Sequence, residues 1–370
     1  MTRISVACRF FVDYQSAFRI HEGLQPMAWS DFRIRRPPTY AMVAAYGALA
    51  TGVGIALGWL VINNIQWDEL GASLSSANVG LILVALALYV LAGYLRGLRW
   101  RLVLRNADVT AGRLFLIEQT GTALDTFSPI RVLDELVEIG ILVLRDRLKL
   151  GTILATLALQ RTFEFGTTVL LVGIGVLLLE PLRQYWPYFT VGIVLGSLSL
   201  ILLFTAGPAL RRVPALSKLG VVSQFASAVI LLRQDVGRSV LAFVISVAQA
   251  LLIGLAGWMV AQAVHIDLGI QVLIVITLGV LFFSSAVPGL PLALGTFEFG
   301  IVNSLGLWGI DQEQAIAFSL LLHAVLFLPP IFFAMFFLPR EGLLSLSKLK
   351  ALTSSTRTEI SSAGKSRYLD

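Results

Sequence analysis

The 370 residues carry 28 Lys and Arg against 22 Asp and Glu; 57% are hydrophobic, only 14% are charged, and the mean hydropathy is +0.83. That balance excludes an ordinary soluble domain, and apolar runs near the roughly 20 residues of a spanning helix, not the about 10 of a barrel strand, define an all-α polytopic membrane protein. The lone Cys8 excludes an intramolecular disulfide, His21, His265 and His323 lie too far apart for metal-ligand spacing, and the +6 charge sits at segment ends without a nucleic-acid motif. Membrane phospholipids are therefore the expected partners, with no nucleic acid, metal or cofactor.

Residues 1–40 form a polar segment with six arginines and no apolar run of signal-peptide length, so this end is expected in the cytoplasm. A transmembrane domain is expected over 41–338, and a basic, poorly ordered cytoplasmic tail over 339–370. Span one covers about 41–62 and span two about 79–95. The run Arg96-Gly97-Leu98-Arg99-Trp100-Arg101 then suits a helix lying in the cytoplasmic interface and fixing topology.

Residues 114–144 break the apolar pattern with Glu118, Asp125, Arg131, Asp134, Glu135 and Glu138 around Pro129. One charge at the bilayer centre costs about 2.5 to 3.5 kcal/mol, so this group must line a cavity or dip in and return. The next span, about 152–179, carries Gln160, Arg161 and Glu164; the last two are three apart and share a helix face. Span five covers about 187–206, an amphipathic surface helix is expected over 219–232, and span six covers about 239–264. The apolar stretch 269–287 then breaks at Pro288, Gly289, Pro291 and Gly295, and a helical piece resumes over 296–308. The final span, about 314–338, holds His323 and a Pro329-Pro330 pair that should kink it.

Of the 28 bases, 25 fall before span one, in 96–113, 145–149 and 211–238, or after 339. The connections at 63–78, 180–186, 264–270 and 309–313 hold only Arg183. The positive-inside rule puts the first group in the cytoplasm and the second outside. Both ends of 114–144 then lie on one side and both ends of 270–310 on the other. The expected architecture is about six full spans plus two opposed re-entrant hairpins, with pairs of short tilted spans as the alternative.

Broken helices at midplane aim their ends into a cavity, N-termini favouring phosphate and C-termini favouring cations. Arg131 and Arg161 suit a phosphate, while Glu298, Glu164, Asp134 and Glu135 add negative charge, so a headgroup bearing both signs fits. Pro288 and Gly295 shape the break, and His323 lies on the apolar helix after it. Each has a structural alternative: Glu298 as a cap for freed backbone, Arg161 with Glu164 as a fold-stabilising pair, His323 as a packing residue. Gly121 and Gly166 are expected to permit close helix packing.

Pro288-Gly-Leu-Pro291 with Gly295-Thr-Phe-Glu298, then Gly309-Ile-Asp311 and Ala315-Ile-Ala317, resembles the C-terminal signature of the lysylphosphatidylglycerol synthase transmembrane-region family of flippase-like proteins. Arg99-Trp100, Pro129 before an acidic pair, and Arg161 three before an acid are similar to its N-terminal half. The resemblance spans roughly 41–338 and implies a multi-span bacterial inner-membrane protein that moves lipids between leaflets, notably aminoacylated phosphatidylglycerol. It departs at Asp134-Glu135 then Glu138, where the family usually has Gly-Glu followed by Arg, and at His323, where Arg is frequent. The expectation is a lipid flippase or lipid-binding transporter without catalytic residues, working beside a separate lipid-modifying synthase or glycosyltransferase. The alternative is a membrane enzyme or accessory subunit in glycolipid, polyprenyl-phosphate or hopanoid synthesis.

Overall fold

A computed structural model describes residues 39–341, apart from 64, 105–107, 127–132, 188–189, 192, 196, 199–200, 202–204, 206–228, 231–234 and 288–289. Nearly all of the terminal segments, half of span five, most of the expected surface helix of 219–232, Pro129, Arg131 and Pro288 thus lie outside the described residues. Among the described residues the α-helices include α1 (Thr39–Ile62), α2 (Trp67–Ser75), α3 (Val79–Val103), α4 (Ala111–Thr126), α5 (Leu133–Leu144), α6 (Leu150–Leu178), α7 (Val236–Ala263), α8 (Ile270–Ala286), α9 (Thr296–Gly306) and α10 (Gln312–Arg340). Among the described residues there is no strand, and α3, α6, α7 and α10 are each long and apolar enough to cross a membrane. The chain is an all-α, multi-pass membrane protein.

Helices α3 and α7 form the central pair. Small side chains allow it: Ala85 and Ala92 on α3 and Ala242, Ser246, Ala250, Gly254 and Gly257 on α7 are buried. In lipid, where apolar burial drives little helix association, such faces let backbones approach and dispersion contacts add up. Gly254 and Gly257 serve α8 in the same way, since a Cβ there would run into Ile274 and Thr277.

At one end of the bundle the acidic connections interlock. The Asn78 N–H donates to the Ala263 carbonyl (2.9 Å), the Gln66 N–H to Glu313 (3.1 Å), and Gln314 to the Val264 carbonyl (3.0 Å). Asn78 also caps α3 by accepting from the Gly80 N–H at 2.9 Å. At the other end Arg113 donates to Asp146 (2.7 Å) and, through both terminal nitrogens, to Glu341 (2.8 and 3.2 Å). Three of the four connections grouped as outward by charge, 63–78, 264–270 and 309–313, thus meet at one end.

In two helix pairs each member is shorter than a full span. At 1.5 Å per residue α4 and α5 extend about 24 and 18 Å, and α8 and α9 about 26 and 17 Å, against roughly 30 Å of hydrocarbon. The Arg113–Asp146 bond shows that α4 and α5 start and finish at the same end. The second pair begins and ends among the interlocked connections at the opposite end, where Leu268 and Ile310 pack against one apolar core. The described stretch of the second break is bent sharply: Leu292 and Ala293 have φ of 65° and 56°, and Gly295 has φ of 82°. Two consecutive residues with side chains in the left-handed region are strained and persist only where their surroundings enforce them.

Two local expectations change. The interfacial helix at Arg96–Arg101 is instead the continuation of α3, with Arg99 and Trp100 fully buried and the Trp100 indole N–H donating to Thr156 at 3.1 Å. Of the packing glycines, Gly121 meets the Asp134 backbone closely, whereas the space beside Gly166 is open. The Pro329-Pro330 pair is buried inside α10, which is helical on both sides of it.

Candidate functional site

Helical spacing on α6 builds the site. Gln160 and Glu164 are four apart and face α3, while Arg161, one residue on, turns toward α5. Arg99 of α3 fills the gap, donating to Glu164 (2.6 Å), Gln160 (3.1 Å) and Ser246 of α7 (2.9 Å). Arg96, one turn earlier, sits 2.9 Å from the same Glu164 oxygen and 3.6 Å from Glu118 of α4. The other Glu164 oxygen lies 3.4 Å from Arg161. One carboxylate therefore serves three guanidinium groups, which is how buried charge survives: paired and hydrogen-bonded on every side.

Arg161 reaches across to the first turn of α5. Its Nε donates to Glu135 at 3.0 Å, one terminal nitrogen lies 2.7 Å from the same oxygen, and that nitrogen also pairs with Asp134. Both acids occupy a helix N-terminus, where the backbone dipole favours negative charge. Glu118 and Glu138 complete this polar region, each 1% exposed. Arg161 differs from Arg99: its side chain is 41% exposed, against 0%.

The second break builds a different site. Glu298 stands in the first turn of α9 and accepts the Gly295 N–H at 2.7 Å, one arm of a capping box. Its other oxygen meets Nδ1 of His323 on α10 at 2.8 Å. The imidazole lies against Phe327 (4.3 Å between centroids) and edge-on to Phe297 (5.2 Å). Gly295 is irreplaceable on two counts, its positive φ and the Gly54 carbonyl of α1 pressed where a Cβ would sit.

Of the sequence-derived residues, Arg161, Glu164, Asp134 and Glu135 thus form one cluster, and Gly295, Glu298 and His323 another. Among the described residues no hydrogen bond or ion pair joins the two clusters. Packing links them instead: α4 touches the Pro291–Ala293 turn, and α10 runs along both α4 and α9. Sequence reasoning placed Arg96 and Arg99 at the membrane surface and gave no part to Ser246; all three belong to the first cluster. Among the described residues no group of His, Cys, Asp and Glu is arranged to hold a metal ion.

The sequence profile of the lysylphosphatidylglycerol synthase TM region matches residues 47–334. The chain belongs to this family. The match takes in both broken helix pairs and both clusters. No curated protein matches the chain. Membership in the lysylphosphatidylglycerol synthase TM region family makes this a membrane protein related to lipid synthesis or lipid flipping.

Proposed function

We propose that the protein moves a polar-headgroup phospholipid between leaflets, the headgroup crossing through the charged region while the acyl tails stay in the bilayer. The observation that carries this reading is Arg161. It is a guanidinium at the edge of a buried ionic network, oriented by Asp134, Glu135 and Glu164 yet with 41% of its side chain open. A planar donor fork held in that way suits a phosphate, and the acids beside it suit an ammonium group on the same headgroup. Aminoacylated phosphatidylglycerol has both features.

The two short helix pairs act in this reading as hairpins entering from opposite leaflets, and transport alternates exposure of the groove between them. Both termini are cytoplasmic in a bacterial inner membrane, no covalent step is catalysed, and a separate synthase or glycosyltransferase supplies the lipid. Glu298 and His323 hold the second break and do not touch the headgroup. The test is leaflet-specific quenching of fluorescent phosphatidylglycerol in reconstituted vesicles. Losing one charge-assisted contact of about 1.5–3 kcal/mol lowers the rate of Arg161→Ala roughly tenfold or more. An unchanged rate in a folded variant overturns the assignment.

A further inference from the structure

Glu118 meets the ionic network just described only at its rim, 3.6 Å from Arg96, and the setting of Glu118 and Glu138 is unusual for ionised groups. Helices α4 and α5 are antiparallel and closest where Gly121 meets Asp134. One turn from that contact, toward the closed base of the pair, Glu118 and Glu138 come into register across the interface. Each side chain is 1% exposed. Among the described residues neither oxygen of Glu118 has a hydrogen-bond partner, and one oxygen of Glu138 has none.

An ionised carboxylate accepts several hydrogen bonds, and leaving it without them in a low-dielectric site is prohibitive. The surrounding charges do not remove the difficulty. From α3, Arg96 lies 3.6 Å from Glu118 but is committed at 2.9 Å to Glu164, and Arg99 is committed to Glu164 as well. From α6, Arg161 is held by Asp134, Glu135 and Glu164. From α10, Phe333 meets Phe115 of α4, and Glu341 is engaged by Arg113. Two facing carboxyl groups in such a place cannot both be ionised.

We infer that Glu118 and Glu138 form a proton-binding site in which the two carboxyl groups share one exchangeable proton, and that this proton is the coupling ion for the lipid movement proposed above. The coupling rests on that reading; the proton site does not. The partition of charge follows from position. When the Arg96 guanidinium turns from Glu164 toward Glu118 the proton is released, and when it returns to Glu164 the pair takes a proton up again. A lipid phosphate that draws Arg161 away from Glu164 frees that carboxylate to hold Arg96, so headgroup binding and proton uptake favour one another.

Infrared difference spectroscopy of the purified protein reads the site without any transport. The wild type is expected to show a protonated-carboxyl band at neutral pH that disappears on alkaline titration and is unmoved by sodium at fixed pH. Glu118→Gln and Glu138→Gln should each move the band to the position of an unshared carboxyl, because the remaining carboxyl stays neutral in its buried setting, and the double variant should lose it. A band unmoved in either single variant, or kept by the double variant, overturns the shared proton, and a band removed by sodium makes the ligand a metal cation instead. The wild-type titration stands even if a variant does not fold. In vesicles holding fluorescent phosphatidylglycerol, an imposed pH gradient should change the wild-type rate several-fold and leave Glu118→Gln unaffected. Movement indifferent to the gradient, with no carboxyl band, overturns the inference and leaves the proposed function intact. A band without any lipid movement does the reverse.

Discussion

The two broken helix pairs place acids at equivalent points and satisfy them in opposite ways. In the first, Asp134 and Glu135 open α5 and are met by Arg161 from another helix, with Arg96, Arg99 and Glu164 behind it. In the second, Glu298 opens α9 and is met by its own backbone and one histidine. The first is an ionic network with an open edge. The second is a closed capping arrangement, with its strain held by Gly54 and by the aromatic rings around His323. A carboxylate at a break is therefore no guide to ligand contact by itself; what decides is whether its oxygens are already engaged and whether a neighbour stays reachable.

Substitutions can break this contrast. The largest effect is expected from Arg99→Ala, which empties a fully buried position and strips Gln160 and Ser246 of their donor while Glu164 keeps Arg96 and Arg161; it should cost about 3 kcal/mol or more, read as a large drop in the thermal unfolding midpoint in detergent. Next comes Gly295→Ala, which forces a side chain into positive φ against the Gly54 carbonyl. It should lose about 1–3 kcal/mol, and a compensating change at Gly54 should not restore it, because the obstacle is main chain. Glu298→Ala follows at about 1–2 kcal/mol, and a double-mutant cycle with His323→Ala should show clear coupling; additive losses would mean that the two groups do not act together. Arg161→Lys closes the series in stability, at under about 1 kcal/mol for so exposed a pair. In transport it should rank first, because an ammonium group cannot reproduce the planar fork. Equal transport by Arg161→Lys and wild type would erase the distinction between an open and a closed break.

Membrane class and the break that ends in Gly295 were legible because they follow from hydropathy and from proline and glycine placement. Arg96 and Arg99 were not. A basic residue at the end of an apolar run reads the same whether it faces headgroups or a neighbouring helix, and the positive-inside rule takes it as the former. The available signal was the row Ala85, Ala92, Arg99 at intervals of seven, which puts the arginine on the same face as the small residues that pack against α7. The roles of Glu298 and Glu164 could not be separated in sequence either, since each is a lone acid beside an aromatic in an apolar helix. Only the partners, Gly295 N–H for one and three guanidinium groups for the other, tell them apart.

One consequence attaches to α10. His323 anchors it to the second break, and beyond Phe333 its far end is tied through Phe337 and Glu341 to the base of the first pair. Between those anchors stand Pro329 and Pro330, which have no N–H to return to Val325 and Leu326. A rod fastened at both ends and missing two consecutive rungs is least stiff at the gap. The pair of prolines is thus the softest stretch of the one helix that is tied to both breaks.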